Sequence, residues 1–254
     1  MRGMAVLLAM ILGGVCLPPV ARGGPAAPDD LRCEGLVDPL GIDRAEPRLC
    51  WTIPPGEQGL AQTAYQILVA DSPAGLAAGR GNLWDSGKVE SDRSQWVAYA
   101  GQPLAKGSRS WWKVRVWDQT GVPSPWSASA WFTVGPLSAS DFRGEWIGAG
   151  WMKNNEGPLP WLRKTIELEE APVAATAYVC ALGYYELYVN GRKLGDDVLS
   201  PAVSDYGKRG LYRAHDLSGR LVKGRNCIGL WLGRGRCCGA DDEVQRQCRV
   251  LAAR

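Results

Sequence analysis

The sequence predicts an all-β protein built from two consecutive antiparallel β-sandwiches. Several short segments alternate apolar and polar residues with a period of two, which is typical of half-buried strands. Turn residues separate these segments, and the 32 glycines and 17 prolines of the chain are plentiful enough to close many tight turns. No segment has the apolar spacing of an amphipathic helix of three turns. We expect a fibronectin type III or immunoglobulin-like sandwich first and a jelly-roll-like sandwich second.

Residues 1–24 predict a signal peptide. Arg2 supplies a positive charge, and residues 4–15 form an apolar run that is too short to span a bilayer. Small residues follow, with a cleavage point expected between Ala21 and Ala27. We therefore expect a secreted or periplasmic protein, and no later segment is long and apolar enough for a membrane span.

Residues 29–135 predict the first sandwich, and "WWKVRVWD" is its clearest strand. Trp112, Val114 and Val116 fall on one apolar side of that strand. The other side alternates indoles with Lys113 and Arg115. These cations either form cation–π contacts or cover the indoles with their aliphatic stems, and we expect the second arrangement. The polar connector "GPLSAS" at 135–140 marks the domain boundary.

Residues 141–235 predict the second sandwich, whose clearest feature is the hairpin "GYYELYVNGRKLG". Tyr185, Leu187 and Val189 are expected on the buried side of its first strand. Asn190 and Gly191 tolerate positive φ at both central positions of a type I′ turn. Residues 236–254 show no strand pattern and are expected to be an irregular tail. We therefore expect the second sandwich to be incomplete, because the chain ends early or its reading frame is disturbed near Arg236.

The chain has 8 cysteines, and export would permit disulfides. Cys33 with Cys50, and Cys180 with Cys227, are candidate pairs because each pair lies within one predicted domain. Buried thiols are the alternative, and the sequence does not decide between them. With one histidine in the chain and no paired C-x-x-C motifs, we expect no structural zinc site.

Longer stretches of the sequence resemble one family. "DPLGIDRAEPRLCWTI", "QTAYQILVA", "LWDSGKVESDRSQWVAY" and "SWWKVRVWDQTGVPSPWS" resemble the first domain of bacterial α-L-rhamnosidases. "LRKTIEL", "AYVCALGYYELYVNGRKLGDDVLSPAVSDYGKR" and "LYRAHDLSGRLVKGRNCIGLWLG" resemble the β-sandwich domain that follows it. The resemblance covers residues 31–233 in the order of the family. A weaker similarity links the hairpin to the sugar-binding sandwich of β-galactosidase-like enzymes.

The resemblance implies an inverting glycoside hydrolase whose catalytic carboxylates lie on an (α/α)₆ barrel. That barrel would follow this chain, so no catalytic residue is assigned and we expect no activity of the chain alone. The resemblance also implies contact with rhamnose-containing glycans, assisted by calcium in some members of the family. Family members often carry a Trp after the proline that corresponds to Pro201, whereas this chain has Ala202.

A sugar or calcium site would need aromatic rings beside clustered oxygen atoms. The residues near the hairpin that offer such groups are Tyr184, Glu186, Tyr188, Asn190, Asp196, Asp197 and Tyr206. Asn190 is also explained by the turn alone. His215 is expected to be a surface or half-buried strand residue, because neighbouring strand residues point to opposite faces and Asp216 then cannot orient it.

The net charge of +3 and the absence of a Lys/Arg run argue against nucleic-acid binding. Three roles are compatible with the sequence: the non-catalytic front of an α-L-rhamnosidase, a free-standing carbohydrate-binding module, and a structural or adhesion protein.

Overall fold

The computed structural model describes residues 24–56, 59–142, 144–148, 158–233 and, for the backbone alone, 248–253. The predicted signal peptide lies outside these ranges except for Gly24. The strands and helices of the described residues, numbered along the chain, are β1 Asp29–Cys33, β2 Arg48–Thr52, β3 Gln62–Ala70, α1 Pro73–Ala77, β4 Trp84–Asp85, β5 Val89–Glu90, β6 Val97–Ala98, β7 Arg109–Asp118, β8 Ala130–Thr133, a 3₁₀ turn Ala139–Asp141, β9 Trp146–Ile147, β10 Trp161–Leu168, β11 Thr176–Ala181, β12 Tyr184–Val189, β13 Arg192–Lys193, β14 Tyr212–Asp216, β15 Gly224–Gly233 and β16 Cys248–Ala253.

The first sandwich packs two antiparallel sheets. One has the strand order β1-β2-β6, and the other has the order β4-β3-β7-β8, with β5 also paired to β3. Trp51, Ile67, Trp112 and Phe132 are fully buried between them. The apolar side of β7 is therefore the core side, as its alternation predicts.

The opposite side of β7 carries cation–π contacts. Arg115 lies 4.8 Å from the ring centre of Trp117 and 4.7 Å from that of Trp126. Lys113 lies 5.0 Å from the ring centre of Trp126. The arrangement that we expected, aliphatic stems alone covering the indoles, is wrong here, because Trp126 from the segment between β7 and β8 meets both cations.

The five-residue helix α1 begins with a side-chain cap. The Ser72 hydroxyl accepts a hydrogen bond from the backbone N–H of Gly75, and Pro73 opens the first turn. Leu76 buries its side chain against Leu68 and Ala70 of β3. The part of the chain that the structure describes has no helix long and apolar enough to cross a membrane.

The second sandwich packs a sheet of order β10-β15-β12-β13 against a sheet of order β14-β11-β16-β9. Its core lies between them and contains Val179 from one sheet with Leu187 and Leu230 from the other. Both sandwiches are thus antiparallel, which confirms the all-β fold class.

The tail provides a strand that the sequence analysis did not predict. Backbone pairing joins β16 to β11 over the whole of β11, from Thr176↔Ala253 to Ala181↔Cys248. The expectation of an irregular tail is therefore wrong for these six residues. Strand pairing depends on a partner more than sixty residues away, and a six-residue stretch without alternation does not reveal that partner. Residues 234–247 lie outside the described ranges.

The cysteines of the described core are thiols, so both candidate disulfides are wrong. Cys33 pairs in register with Leu49, whereas Cys50 lies opposite Arg32, so the two side chains point to opposite faces of their sheet. Cys180 alternates with the core residue Val179, and Cys227 alternates with the core-packed Ile228. These two thiols therefore lie on the outer faces of two different sheets.

A tyrosine joins the two sandwiches. The hydroxyl of Tyr212 on β14 lies 3.0 Å from the carbonyl oxygen of Gly41 and 3.1 Å from that of Pro136. Its ring packs edge-on against Phe142 and Tyr178. We call these contacts the interdomain joint.

Candidate functional site

Strand β12 presents Tyr184, Glu186 and Tyr188 on the outer face of its sheet. The alternate residues Tyr185, Leu187 and Val189 are buried in the core. At the end of the strand Asn190 has φ 51° and Gly191 has φ 79°, as a type I′ turn requires. The predicted hairpin and the predicted facing of its side chains are confirmed.

Two tryptophans from neighbouring strands meet one of these tyrosines on the outer face. Trp161 of β10 lies directly opposite Trp231 of β15, and their rings stack at 4.3 Å with an interplanar angle of 3°. Tyr188 stacks on Trp231 at 4.4 Å and 23°. The three rings form a continuous row across three strands, which we call the aromatic stack.

Glycines lie on both sides of the central ring. Gly229 and Gly233 are two residues before and after Trp231 on β15, so all three face outward. Tyr188 pairs in register with Gly229 rather than with Trp231. Because Gly229 has no side chain, the Tyr188 ring can lean diagonally onto the indole.

The aromatic stack is exposed at one end. Trp161 retains 69% of its accessible surface, although one of its faces is covered by Trp231. Its remaining face and edges must therefore be open. Trp231, in the middle, is 38% exposed. Large aromatic surfaces left open in this way mark binding sites more often than isolated apolar residues do.

An ion pair fixes the inner end of the stack. Glu186 accepts a hydrogen bond from Lys193 Nζ at 2.5 Å and another from Tyr188 Oη at 2.8 Å. The hydrogen bond from Lys193, and then that from Tyr188, lowers the pKa of Glu186. The same bond to Glu186 raises the pKa of Tyr188. Glu186 is thus a fixed carboxylate that orients the tyrosine ring.

The remaining predicted site residues lie elsewhere. The Asn190 side chain accepts from the backbone N–H of Cys227 at 2.8 Å and donates to Asn226 Oδ1 at 2.9 Å, which holds the hairpin to β15. Asp197 is paired with Arg213 of the opposite sheet at 2.6 Å. Asp196 is exposed and Tyr206 is half-buried, both on the long segment between β13 and β14. The structure groups Tyr184, Glu186 and Tyr188 on one face and does not add these four to it.

The acidic residues do not fit a calcium site as they are placed. Glu186 and Asp197 are each neutralised by a cation of the chain itself. Within the described ranges, no three residues of the His, Cys, Asp and Glu types are grouped so that they could hold a metal ion.

His215 is half-buried on β14, as predicted. Its Nε2 lies 2.7 Å from Tyr185 Oη. Burial lowers the pKa of His215, the nearby positive charge of Arg213 lowers it further, and Asp197 opposes both. The histidine is thus a neutral partner of a core tyrosine at neutral pH.

The sequence analysis missed Trp161 and Trp231 as candidate site residues. Alternation places Trp231 on the same side as Cys227 and Gly229, but its contact with β10 depends on strand register. That register sets Trp161 against Trp231 across 70 positions of sequence and carries no local signal.

Comparison with known proteins assigns both sandwiches to described domain families. The family model of the "Rha78A-like, N-terminal immunoglobulin domain" matches residues 28–138. The model of the "Alpha-L-rhamnosidase N-terminal domain" matches residues 170–250.

Whole relatives agree with these domain matches. An α-L-rhamnosidase of Formosa agariphila is 34% identical over 232 residues, which cover 82% of this chain and 24% of the relative. An α-L-rhamnosidase from Streptomyces avermitilis is 38% identical over 182 residues, which cover 63% of this chain and 18% of the relative. The solved α-L-rhamnosidase from Dictyoglumus thermophilum matches with a TM-score of 0.80 at 33% identity, covering 89% of this chain and 27% of the other. The chain thus spans about a quarter, or less, of the length of these relatives.

Proposed function

Because this chain carries the N-terminal domains of an α-L-rhamnosidase, we propose that it serves such a glycoside hydrolase without cleaving glycosides itself. Its two roles are to provide a rigid two-sandwich scaffold and to contact rhamnose-containing substrates. The observation that carries the proposal is the match of both sandwiches, in order, to the front quarter of α-L-rhamnosidases.

The state of the carboxyl groups supports a non-catalytic role. A glycosidase needs one carboxyl group that stays protonated because its surroundings raise its pKa. In the described part of the chain, every carboxyl group whose pKa is shifted has it lowered; these are Glu34, Asp118, Asp141 and Glu186. Such groups are bases that are already ionised and poor proton donors at neutral pH.

The interdomain joint supports the scaffold role. Tyr212 holds two carbonyls of the first sandwich and its connector, and Lys106 of the first sandwich binds Asp141 at 2.6 Å. Two sandwiches fixed in this way present a defined surface to a following domain, whereas a flexible linker would not.

A hydrolysis assay tests the absence of catalysis. The purified chain is incubated with 4-nitrophenyl α-L-rhamnoside beside an active α-L-rhamnosidase in the same buffer. We expect release of nitrophenol at the rate of buffer alone. Release that rises in proportion to the concentration of this chain would overturn the proposal.

We also propose that the protein is exported, on the basis of the signal-like residues 1–24. Expression of the whole chain in a Gram-negative host should yield a protein outside the cytoplasm whose N-terminus is one of residues 22–27. An intact N-terminus at Met1 in the cytoplasmic fraction would contradict export.

A further inference from the structure

We propose that the open end of the aromatic stack is a sugar-contact surface, with Trp161 as the ring on which a 6-deoxyhexose such as L-rhamnose stacks. The inference rests on the proposed contact of this chain with rhamnose-containing substrates, and it assigns that contact to a place. Trp161 is not among the seven residues that the sequence analysis considered for sugar binding.

The geometry of the rings is the first argument. Sugar sites generally combine an aromatic surface with a few polar groups that fix orientation. Trp231 covers one face of Trp161, and the 69% exposure leaves the opposite indole face available. Because stacking on Trp231 already holds the indole in place, a ligand would not have to order it. A pre-ordered ring reduces the entropic cost of binding.

The surroundings of the stack favour a sugar over a protein partner. Apart from the aromatic rings, the outer face carries polar or small side chains, namely Arg163, Thr165, Glu167, Glu186, Lys193, Arg225 and Cys227. Lys and Glu are depleted in the centres of protein interfaces, yet the Glu186–Lys193 ion pair adjoins the stack. Arg163 is exposed two residues from Trp161 on the same side of β10 and is a donor suited to ring hydroxyls.

The chemistry of a 6-deoxyhexose suits such a surface. A methyl group replaces the polar hydroxymethyl group of an ordinary hexose, so one region of the sugar is apolar while its hydroxyls remain at the ring edge. The apolar region can cover the exposed indole, and the hydroxyls can reach Arg163 and water. Binding is expected to be weak, in the millimolar range, because one ring face buries little surface.

The test is an NMR titration of the whole purified chain with L-rhamnose, followed at the indole N–H signals. The Trp161 signal is identified as the one that is lost in Trp161→Phe. In the wild-type chain we expect this signal to shift with rhamnose, and Trp161→Ala should weaken binding about fivefold to tenfold. The control is Trp96→Ala, which removes an exposed tryptophan of the first sandwich (46% exposed) and should leave binding unchanged.

The outcomes separate this inference from the broader proposal. If the wild-type chain binds rhamnose and Trp161→Ala binds it equally well, the proposed site is wrong. A protein partner is then the alternative ligand of the aromatic stack. If the wild-type chain shows no rhamnose binding at all, the proposed substrate contact of the chain fails as well. Since Trp161 is exposed, unchanged thermal unfolding of the variant will show that any lost affinity is not lost folding.

Discussion

The hydroxyl of Tyr212 in the second sandwich lies 3.0 Å from the carbonyl oxygen of Gly41 in the first. Burial raises the pKa of this tyrosine, so it stays a neutral donor throughout the physiological range. One O–H group is shared between the carbonyls of Gly41 and Pro136, and its loss leaves both without that donor.

Tyr212→Phe should therefore destabilise the protein while keeping the ring contacts of the joint. We expect the free energy of unfolding to fall by roughly 1–2 kcal/mol, the usual effect of leaving a buried carbonyl unsatisfied. Urea denaturation followed by tryptophan fluorescence measures it. Tyr184→Phe removes the same atom from the outer face of the second sandwich and should change the stability little. Equal effects of the two variants would contradict the assigned role of Tyr212.

Gly41 of the joint should tolerate replacement poorly. Its φ is +72°, and an added Cβ would lie 2.7 Å from both Ala214 Cβ and Tyr178 Cε1. Gly195 has nearly the same φ, +73°, but has no atom within 4 Å of an added Cβ. Gly41→Ala thus combines backbone strain with a clash, and Gly195→Ala has the strain alone.

We expect Gly41→Ala to cost at least about 1 kcal/mol more in unfolding free energy than Gly195→Ala, because overpacking adds to the cost of positive φ. The same urea experiment compares the two variants. If they are equally stable, Gly41 is not tightly packed against the second sandwich.

The stability of the protein should decrease as the pH falls through about 6.5, the pKa of an unperturbed histidine. Burial lowers the pKa of His215 in the folded state, so the unfolded chain binds the proton first and is favoured as the pH falls. The effect is complete once the pH passes below the folded-state pKa.

His215 is the single histidine of the sequence, so His215→Gln should flatten this part of the pH profile. Thermal unfolding at closely spaced pH values measures it. Carboxyl groups with lowered pKa values contribute only at lower pH. An identical slope in the variant and the wild-type chain would exclude His215 as its source.

Cys33 and Cys50 should both be recovered as thiols. The chain is unfolded in guanidinium with an alkylating reagent and no reductant, digested and analysed by mass spectrometry. We expect each of the two cysteine peptides to carry the alkyl group, because the side chains lie on opposite faces of the sheet. A Cys33–Cys50 linked peptide would contradict the strand register.

What the sequence could predict was local. The period of two in "YYELYV" and the Asn190–Gly191 turn are both contained within eight residues, so the hairpin and its facing were predictable. The core side of β7 was predictable for the same reason. What was missed depends on partners distant in sequence: the pairing of β16 with β11, the contact of Tyr212 with Gly41, and the register that sets Trp161 against Trp231.

The candidate site shows the same division. Alternation correctly placed Tyr184, Glu186 and Tyr188 together on one face. Nearness in sequence also suggested four further residues, and one of them, Asp197, is instead paired with Arg213 of the other sheet. The cysteine pairs failed because a shared domain says nothing about which face of a strand a thiol occupies.

A single proton NMR titration with methyl α-L-rhamnoside tests the central claim, that this chain contacts rhamnosides but does not cleave them. The same spectra report the indole N–H signals of the protein and the anomeric signal of the glycoside. The account predicts a concentration-dependent shift of the Trp161 signal while the glycoside stays intact over many hours. Free rhamnose that accumulates in proportion to the amount of this chain would contradict it.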